Sequence, residues 1–221
     1  MATKTTGDAR IDALYKVRKG KVDFVDVPEL GFVMIDGGGA PEAPAFSDAI
    51  QALYSVSYGA HFGLKKETGS APRVMALESL WWVEGDALAV MQAVAAGEAD
   101  ITASDRDDWR WRAMIVQLPP IDEDAIRRAV AVAGAKRDLP SLRALRYERW
   151  TEGACAQIMH IGPYATESAS IVTLHRAIAD HGSRARGHHH EIYLGDPRTA
   201  APEKLRTILR QPVEPAPGTG A

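Results

Sequence analysis

The stretch His189-His190-Glu191-Ile192-Tyr193-Leu194-Gly195-Asp196-Pro197-Arg198 decides how the rest of the chain is read. Ile192 and Leu194 alternate with Glu191 and Tyr193, which predicts a strand with one apolar face. Gly195-Asp196-Pro197 is expected to end it. His189, Glu191 and Tyr193 then share a face, so an acid and a phenol stand side by side on a rigid element. Burying a carboxylate in such a strand costs on the order of several kcal/mol unless the group is paired or meets a ligand. The fold must supply a partner for Glu191 or leave it facing a cleft.

Working back from this strand, the same grammar appears twice. In the second half, Leu142 to Trp150 reads as a strand, Thr151-Glu152-Gly153 as a turn and Cys155 to Ile161 as another strand. Gly162-Pro163 breaks the chain, and Ile171, Leu174, Ala177 and Ile178 mark a helix face before the polar loop that leads to Glu191. In the first half, Lys21 to Val27, the turn Pro28-Glu29-Leu30-Gly31 and Phe32-Val33-Met34-Ile35 repeat the pattern. A break at Asp36 to Pro41 and a helix face of Phe46, Ile50, Leu53, Tyr54 and Ser57 follow. Arg73 to Trp82 is a largely apolar strand holding one acid, Glu78. An internal duplication is the economical explanation, with Glu78 and Glu191 in corresponding places.

The segments between the repeated units are read in the same way. Residues 86 to 97 have the spacing of a short helix, and Trp109 to Val116 that of a strand with both tryptophans on one face. Asp122 or Asp124 is expected to cap a helix from about 123 to 134. Gly134 to Leu142 is the expected linker between repeats of about 21–135 and 142–213. Residues 1–20 are read as an N-terminal arm, residues 21–213 as a single domain and residues 214–221 as a flexible tail. The fold class expected is α+β: tandem pseudo-symmetric strand–helix–strand–strand modules whose antiparallel sheet carries helices on one face and a central ligand cleft.

Composition removes several classes of function. The chain has 221 residues, 46% apolar and 25% charged, the values of an ordinary globular protein. A formal charge of -3 supplies no basic excess for direct nucleic-acid binding. The single cysteine, Cys155, excludes an internal disulfide and suits a cytoplasmic location. No run approaches the ~18 apolar residues of a membrane span, so no membrane partner is expected. A monomer or weak dimer is expected. His188 and His190 have no third ligand in reach, so no metal and no cofactor are predicted. Cys155 and His160, five apart on a strand, point to opposite faces and cannot form a nucleophile pair.

The pseudo-symmetric reading brings Glu78 and Glu191 together in the cleft with Trp82 and Tyr193. Trp109 or Trp111, and Tyr164, are the further candidates for its walls. Rings supply contact area and cation–π attraction, and carboxylates supply charge or proton transfer. A flat, aromatic or cationic small molecule is the partner such a site fits. The plainer reading of a tryptophan in a strand is core packing.

Several ordered motifs carry a resemblance: Val27-Pro28, Phe32 to Gly39, Leu77-Glu78-Ser79-Leu80-Trp81-Trp82, Trp111 to Gln117, His160 to Tyr164, and His189 to Arg198 followed by Pro202 to Arg210. With these the chain resembles the GyrI-like small-molecule-binding family, and within it the stand-alone subgroup that includes cyclopropanoid cyclohydrolases. The resemblance covers Lys19 to Val213. It implies a buried glutamate among aromatics, at the position of Glu191, that receives cationic drugs in some relatives. It also implies hydrolysis of cyclopropane-bearing DNA-alkylating compounds in an aromatic cage, with Glu191, Glu78, Tyr193 and Tyr164 as the catalytic candidates. Trp82, Trp81, Trp109, Trp111 and His189 are then the ligand-binding candidates. A non-catalytic drug-sequestering protein is the alternative, and a gyrase-inhibitor-like interaction module a more distant one. No helix-turn-helix pattern precedes Lys21, so a transcription-factor role is not expected. Gly39-Ala40-Pro41-Glu42 stands where the subgroup usually has Gly-Asp-Pro-Asn, and Ala76 and Ser79 stand where Pro and Gly usually flank the first acid's leucine and glutamate. These departures bear on the identity of the ligand.

Overall fold

The computed structural model describes residues 7–83, 108–136 and 138–217. The helix expected at 86–97 lies outside them. The strands are β1 (Val22–Gly38), β2 (Leu77–Val83), β3 (Trp109–Gln117), β4 (Arg146–Ile161), β5 (Ser183–Ala185), β6 (His189–Tyr193) and β7 (Arg206–Pro215). The α-helices are α1 (Ala9–Leu14), α2 (Pro44–Thr68), α3 (Glu123–Lys136) and α4 (Ser168–Asp180). The sheet runs β4-β1-β3-β2-β6-β7, all antiparallel, and β7 pairs back onto β4, so the six strands close into a ring. Each half contributes one long strand, a helix and two shorter neighbouring strands, the tandem α+β plan expected. No helix among the described residues is long and apolar enough to cross a membrane.

The two turns expected inside the halves are not turns. β1 and β4 are single strands of 17 and 16 residues. They pair in one register, from Val22↔Ile158 to Met34↔Arg146, straight through Pro28 and Gly153. Proline has no N–H to give the ladder, and Gly153 holds φ +74, a conformation that favours glycine. Both act as kinks at which the inward face slips by one residue. Val27 and Leu30 are buried with Pro28 and Glu29 exposed between them, and Glu152 and Cys155 show the same spacing of three. The punctuation that reads as two hairpins is what lets two long strands bend around a closed ring.

The helices follow the apolar periodicity. α2 buries Phe46, Ala49, Leu53, Val56 and Ser57, and α4 buries Ile171, Leu174 and Ile178 against Ala156, Ile158 and Leu209. Each fully buried Leu, Ile, Val or Phe among these contributes about 1.5–3 kcal/mol. Asp122 caps α3 by accepting a hydrogen bond from the Ala125 amide at 2.9 Å. Residues 9–15 are not a free arm: Ile11, Leu14 and Tyr15 are buried in the main core. At the end of β1, Gly37 lies opposite Trp111, and a Cβ there would stand 2.2 Å from the indole. This glycine makes room for a tryptophan.

Candidate functional site

The β2–β6 pairing sets the geometry of the candidate site. Glu78 stands opposite Ile192, Ser79 opposite Glu191, Trp81 opposite His189 and Leu77 opposite Tyr193. Directly opposed residues of an antiparallel pair share a face. Glu78 and Glu191 therefore point to opposite sides of the sheet, and the expected pair of glutamates across one cleft does not form. Both acids lie on neighbouring strands, and a one-residue offset in register separates them.

Glu78 faces the interior of the ring. Its carboxylate accepts the Tyr15 hydroxyl at 2.6 Å and lies 3.1 Å from His190 Nε2. His190 Nδ1 meets Glu152 at 2.9 Å, and Glu152 meets the Arg210 guanidinium at 3.2 Å. Arg210 also donates to Gln157 at 3.0 Å and to the Leu14 carbonyl at 3.3 Å, which ties α1 into the network. Burial alone would lower the His190 pKa, but Glu152 and Glu78 outweigh it and hold the imidazole at about 9. Burial would likewise raise Glu152, and His190 with Arg210 hold it at about 2. Two carboxylates and two cations thus neutralise one another inside the ring.

The other face of β2 and β6 opens into a cleft of about 1470 Å³ between α2 and the start of α4. Glu191 lines it. Tyr193 donates its hydroxyl to Glu191 Oε2 at 2.8 Å and accepts the Trp81 indole N–H at 2.9 Å. His189 Nε2 stands 3.6 Å from Glu191 Oε1, and neither ring nitrogen of His189 has a hydrogen-bond partner. Phe46 packs on Trp81 with ring centroids 5.0 Å apart, Trp109 lies edge-on to Trp81 at 5.7 Å, and Tyr164 lies edge-on to Tyr193 at 5.9 Å. Burial, then Glu167 and Glu191, push Tyr164 up to about 12. Burial and the adjacent Glu191 push Tyr193 well above the usual phenol value.

Of the sequence candidates, the structure brings Glu191, Tyr193, Tyr164, Trp81, Trp109 and His189 together. Trp82 lies at the cleft edge, past the end of the β6 pairing, where it stacks on His188 at 4.4 Å. Trp111 is not a wall of the cleft: it is 2% exposed, beneath Phe46 and over Gly37. Glu78 belongs to the interior network.

The residue missed is Glu167, just ahead of α4. It is buried, its Oε1 has no hydrogen-bond partner, and burial together with the negative charge of Glu191 raises its pKa to about 9. Burial and like charge thus favour holding a proton on the acids of this cleft. A signal for it exists in the sequence: Glu167 begins the stripe continued by Ile171, Leu174 and Ile178, so it stands on the buried face of the helix. An acid at a helix start reads more simply as a partner for the helix dipole. His175, one place after Leu174, is also buried with Nε2 unpartnered, and burial followed by His189 lowers it to about 4. Among the described residues no group of three or more His, Cys, Asp and Glu is arranged to hold a metal ion.

The fold recurs in known proteins. A protein from Listeria innocua with no assigned activity is 32% identical to the chain, covers 93% of it and 98% of its own length, and superimposes with a TM-score of 0.80. Two solved structures described as hydrolases from the same organism are 30% and 32% identical, cover 93% and 92% of this chain and 98% and 96% of their own, and give TM-scores of 0.74 and 0.76. The C-terminal domain of EcmrR, 11% identical over 89% of this chain and 98% of its own with a TM-score of 0.51, shares the fold alone. No curated protein matches the chain. The model of the GyrI-like small molecule binding domain matches residues 119–214, which hold β4, α4, β6 and β7. With near-complete coverage by relatives at this identity, the chain belongs to the GyrI-like family of small-molecule-binding domains.

Proposed function

We propose that the cleft between α2 and α4 binds a flat organic molecule and hydrolyses it, with strained cyclopropane-bearing alkylating compounds as the substrate class. The observation that carries this reading is the pair of carboxyl groups, Glu191 and the buried, partly unpartnered Glu167, set with Tyr193 and Tyr164 in an aromatic cleft. The hydrolase description of two Listeria innocua relatives supports it.

In a cyclopropane conjugated to a dienone, opening requires a donor at the carbonyl oxygen and a base at the attacking water. Water adds to the ring methylene, the strained C–C bond breaks, and its electron pair moves into the dienone to give a phenol. Glu191 takes the proton from the water and Glu167 gives one to the carbonyl oxygen, so one molecule of water is added and the two acids exchange roles. The proton returns between them before the next turnover. Trp81, Trp109 and Phe46 hold the flat ring system and exclude bulk water. Glu78, on the far face, acts only through His190 by fixing the strand that carries Glu191.

The test replaces Glu191 with Gln and follows both ligand affinity and formation of the water adduct of a cyclopropane-bearing alkylator by mass spectrometry. Affinity kept with turnover lost is the expected result. Loss of binding to a cationic dye without any turnover in the wild type would make the protein a sequestering binder. No change in either overturns the site.

A further inference from the structure

Three rings of α2 extend beyond the chemistry at Glu191. Tyr54, Tyr58 and Phe62 stand four residues apart on one face, with successive centroids 6.0 and 6.1 Å apart and planes within 27° and 22° of parallel. Tyr54 and Tyr58 line the cleft, whereas Phe62 lies outside it. Tyr58 is 47% exposed and Phe62 60% exposed, unusual for large apolar side chains in sequence-adjacent turns of a helix. The direction of the ladder is fixed by its neighbours. Phe46, at the start of α2, touches Trp81, the inner wall. Two turns further on, about 12 Å along the axis, Tyr54 reaches the mouth beside the loop of Asp196 and Arg198. Tyr58 and Phe62 carry the same row outward from there.

We propose that this ladder is a second subsite, continuous with the cleft, for an extended flat arm of a ligand whose other end lies at Glu191. The proposal rests on the reading of the cleft as a small-molecule site and adds the shape of the ligand: elongated, planar and long enough to leave the cleft by about one helical turn. A ligand arm fits the row better than a second copy of the chain. The exposed parts of Tyr58 and Phe62 together offer roughly 250 Å², while a stable protein interface needs about 800 Å² on each partner. A row of slipped, nearly parallel rings presents edges and tilted faces to one flat strip, the geometry in which aromatic groups attract one another.

The experiment measures binding of two fluorescent cationic dyes, a compact aminoacridine and an elongated bisbenzimidazole, to the wild type and to Phe62→Ala and Phe62→Trp. Phe62 lies outside the cleft, where its ring meets those of Tyr58 and His61, so Phe62→Ala should weaken the elongated dye about fivefold and leave the acridine unchanged. Phe62→Trp should keep or tighten binding of the elongated dye. Binding of both dyes with no effect of either substitution overturns the ladder and leaves the cleft standing. So does an equal loss for both dyes, or a change in sedimentation of the protein without a change in dye affinity. Failure of both dyes to bind the wild type overturns the cleft reading and the ladder with it.

Discussion

The two faces of the β2–β6 pair treat their acids in opposite ways. On the inner face Glu78 and Glu152 are 1% and 2% exposed, and their charges meet His190, Arg210 and Tyr15 within 3.2 Å. On the outer face Glu167 is almost as deeply buried, yet one of its oxygens has no partner and the charge acting on it is that of another acid, Glu191. Burial is thus shared, and partnership is what differs. A buried acid whose charge is cancelled is part of the scaffold; one left beside a like charge, in a cleft walled by aromatics, is available to a ligand or a proton.

Breaking the inner network should have the largest effect. Glu152→Gln leaves Arg210 and protonated His190 without their shared counter-charge, at a cost of about 3–5 kcal/mol in urea unfolding at pH 7. The pH dependence follows from the same groups. Glu152 is held at about 2 against an ordinary 4.5, so its contribution is complete above 4.5 and is lost as pH falls towards 2. His190 is held at about 9 against an ordinary 6.5, so its contribution is complete below 6.5 and is lost as pH rises through 9. Stability from the network should therefore be greatest between about pH 4.5 and 6.5, and Glu152→Gln should flatten both limbs. A variant as stable as the wild type would mean that the inner acids are no more scaffold than the outer ones.

The outer face should respond with the opposite sign. The folded state raises the Glu167 pKa to about 9, so the native protein binds a proton that the unfolded chain has released, and stability declines as pH rises from 4.5 to 9. Glu167→Gln, which keeps the shape without the charge, should raise stability by about 1–3 kcal/mol at pH 7 while lowering turnover. The gain should vanish below pH 4. Loss of stability at neutral pH would show that Glu167 is paired after all.

A matched pair of hydroxyl deletions gives the finest comparison. Tyr15→Phe removes the hydrogen bond to the buried Glu78 carboxylate, where no water can replace it, and should cost about 1–2 kcal/mol. Tyr193→Phe removes the bond to the partly exposed Glu191 and the acceptor of the Trp81 indole N–H, but both face the cleft, where water can replace the hydroxyl, so it should cost about half as much in denaturant titrations. Equal costs would erase the distinction between the faces.

The alternation around Glu191, the helix stripes on α2 and α4, the cap at Asp122 and the repeated plan were all legible in the letters, because each is a local pattern of side-chain size and polarity. The cleft group of Glu191, Tyr193, Tyr164 and Trp81 was legible for the same reason. Three things were not. Pro28 and Gly153 look like turn residues and are kinks in continuous strands, since local punctuation does not reveal whether a partner strand runs past it. Glu78 looked equivalent to Glu191, because a repeat fixes sequence spacing and not the register between neighbouring strands. Glu167 looked like an ordinary helix-start acid, because its environment comes from β6, which lies more than twenty residues away. Sequence by itself determined which residues share a face within each element. Only the tertiary structure decided which faces meet, because inter-strand register and ring closure depend on contacts between residues far apart in the chain. On that depended which buried acid was neutralised and which was left beside a like charge in the cleft.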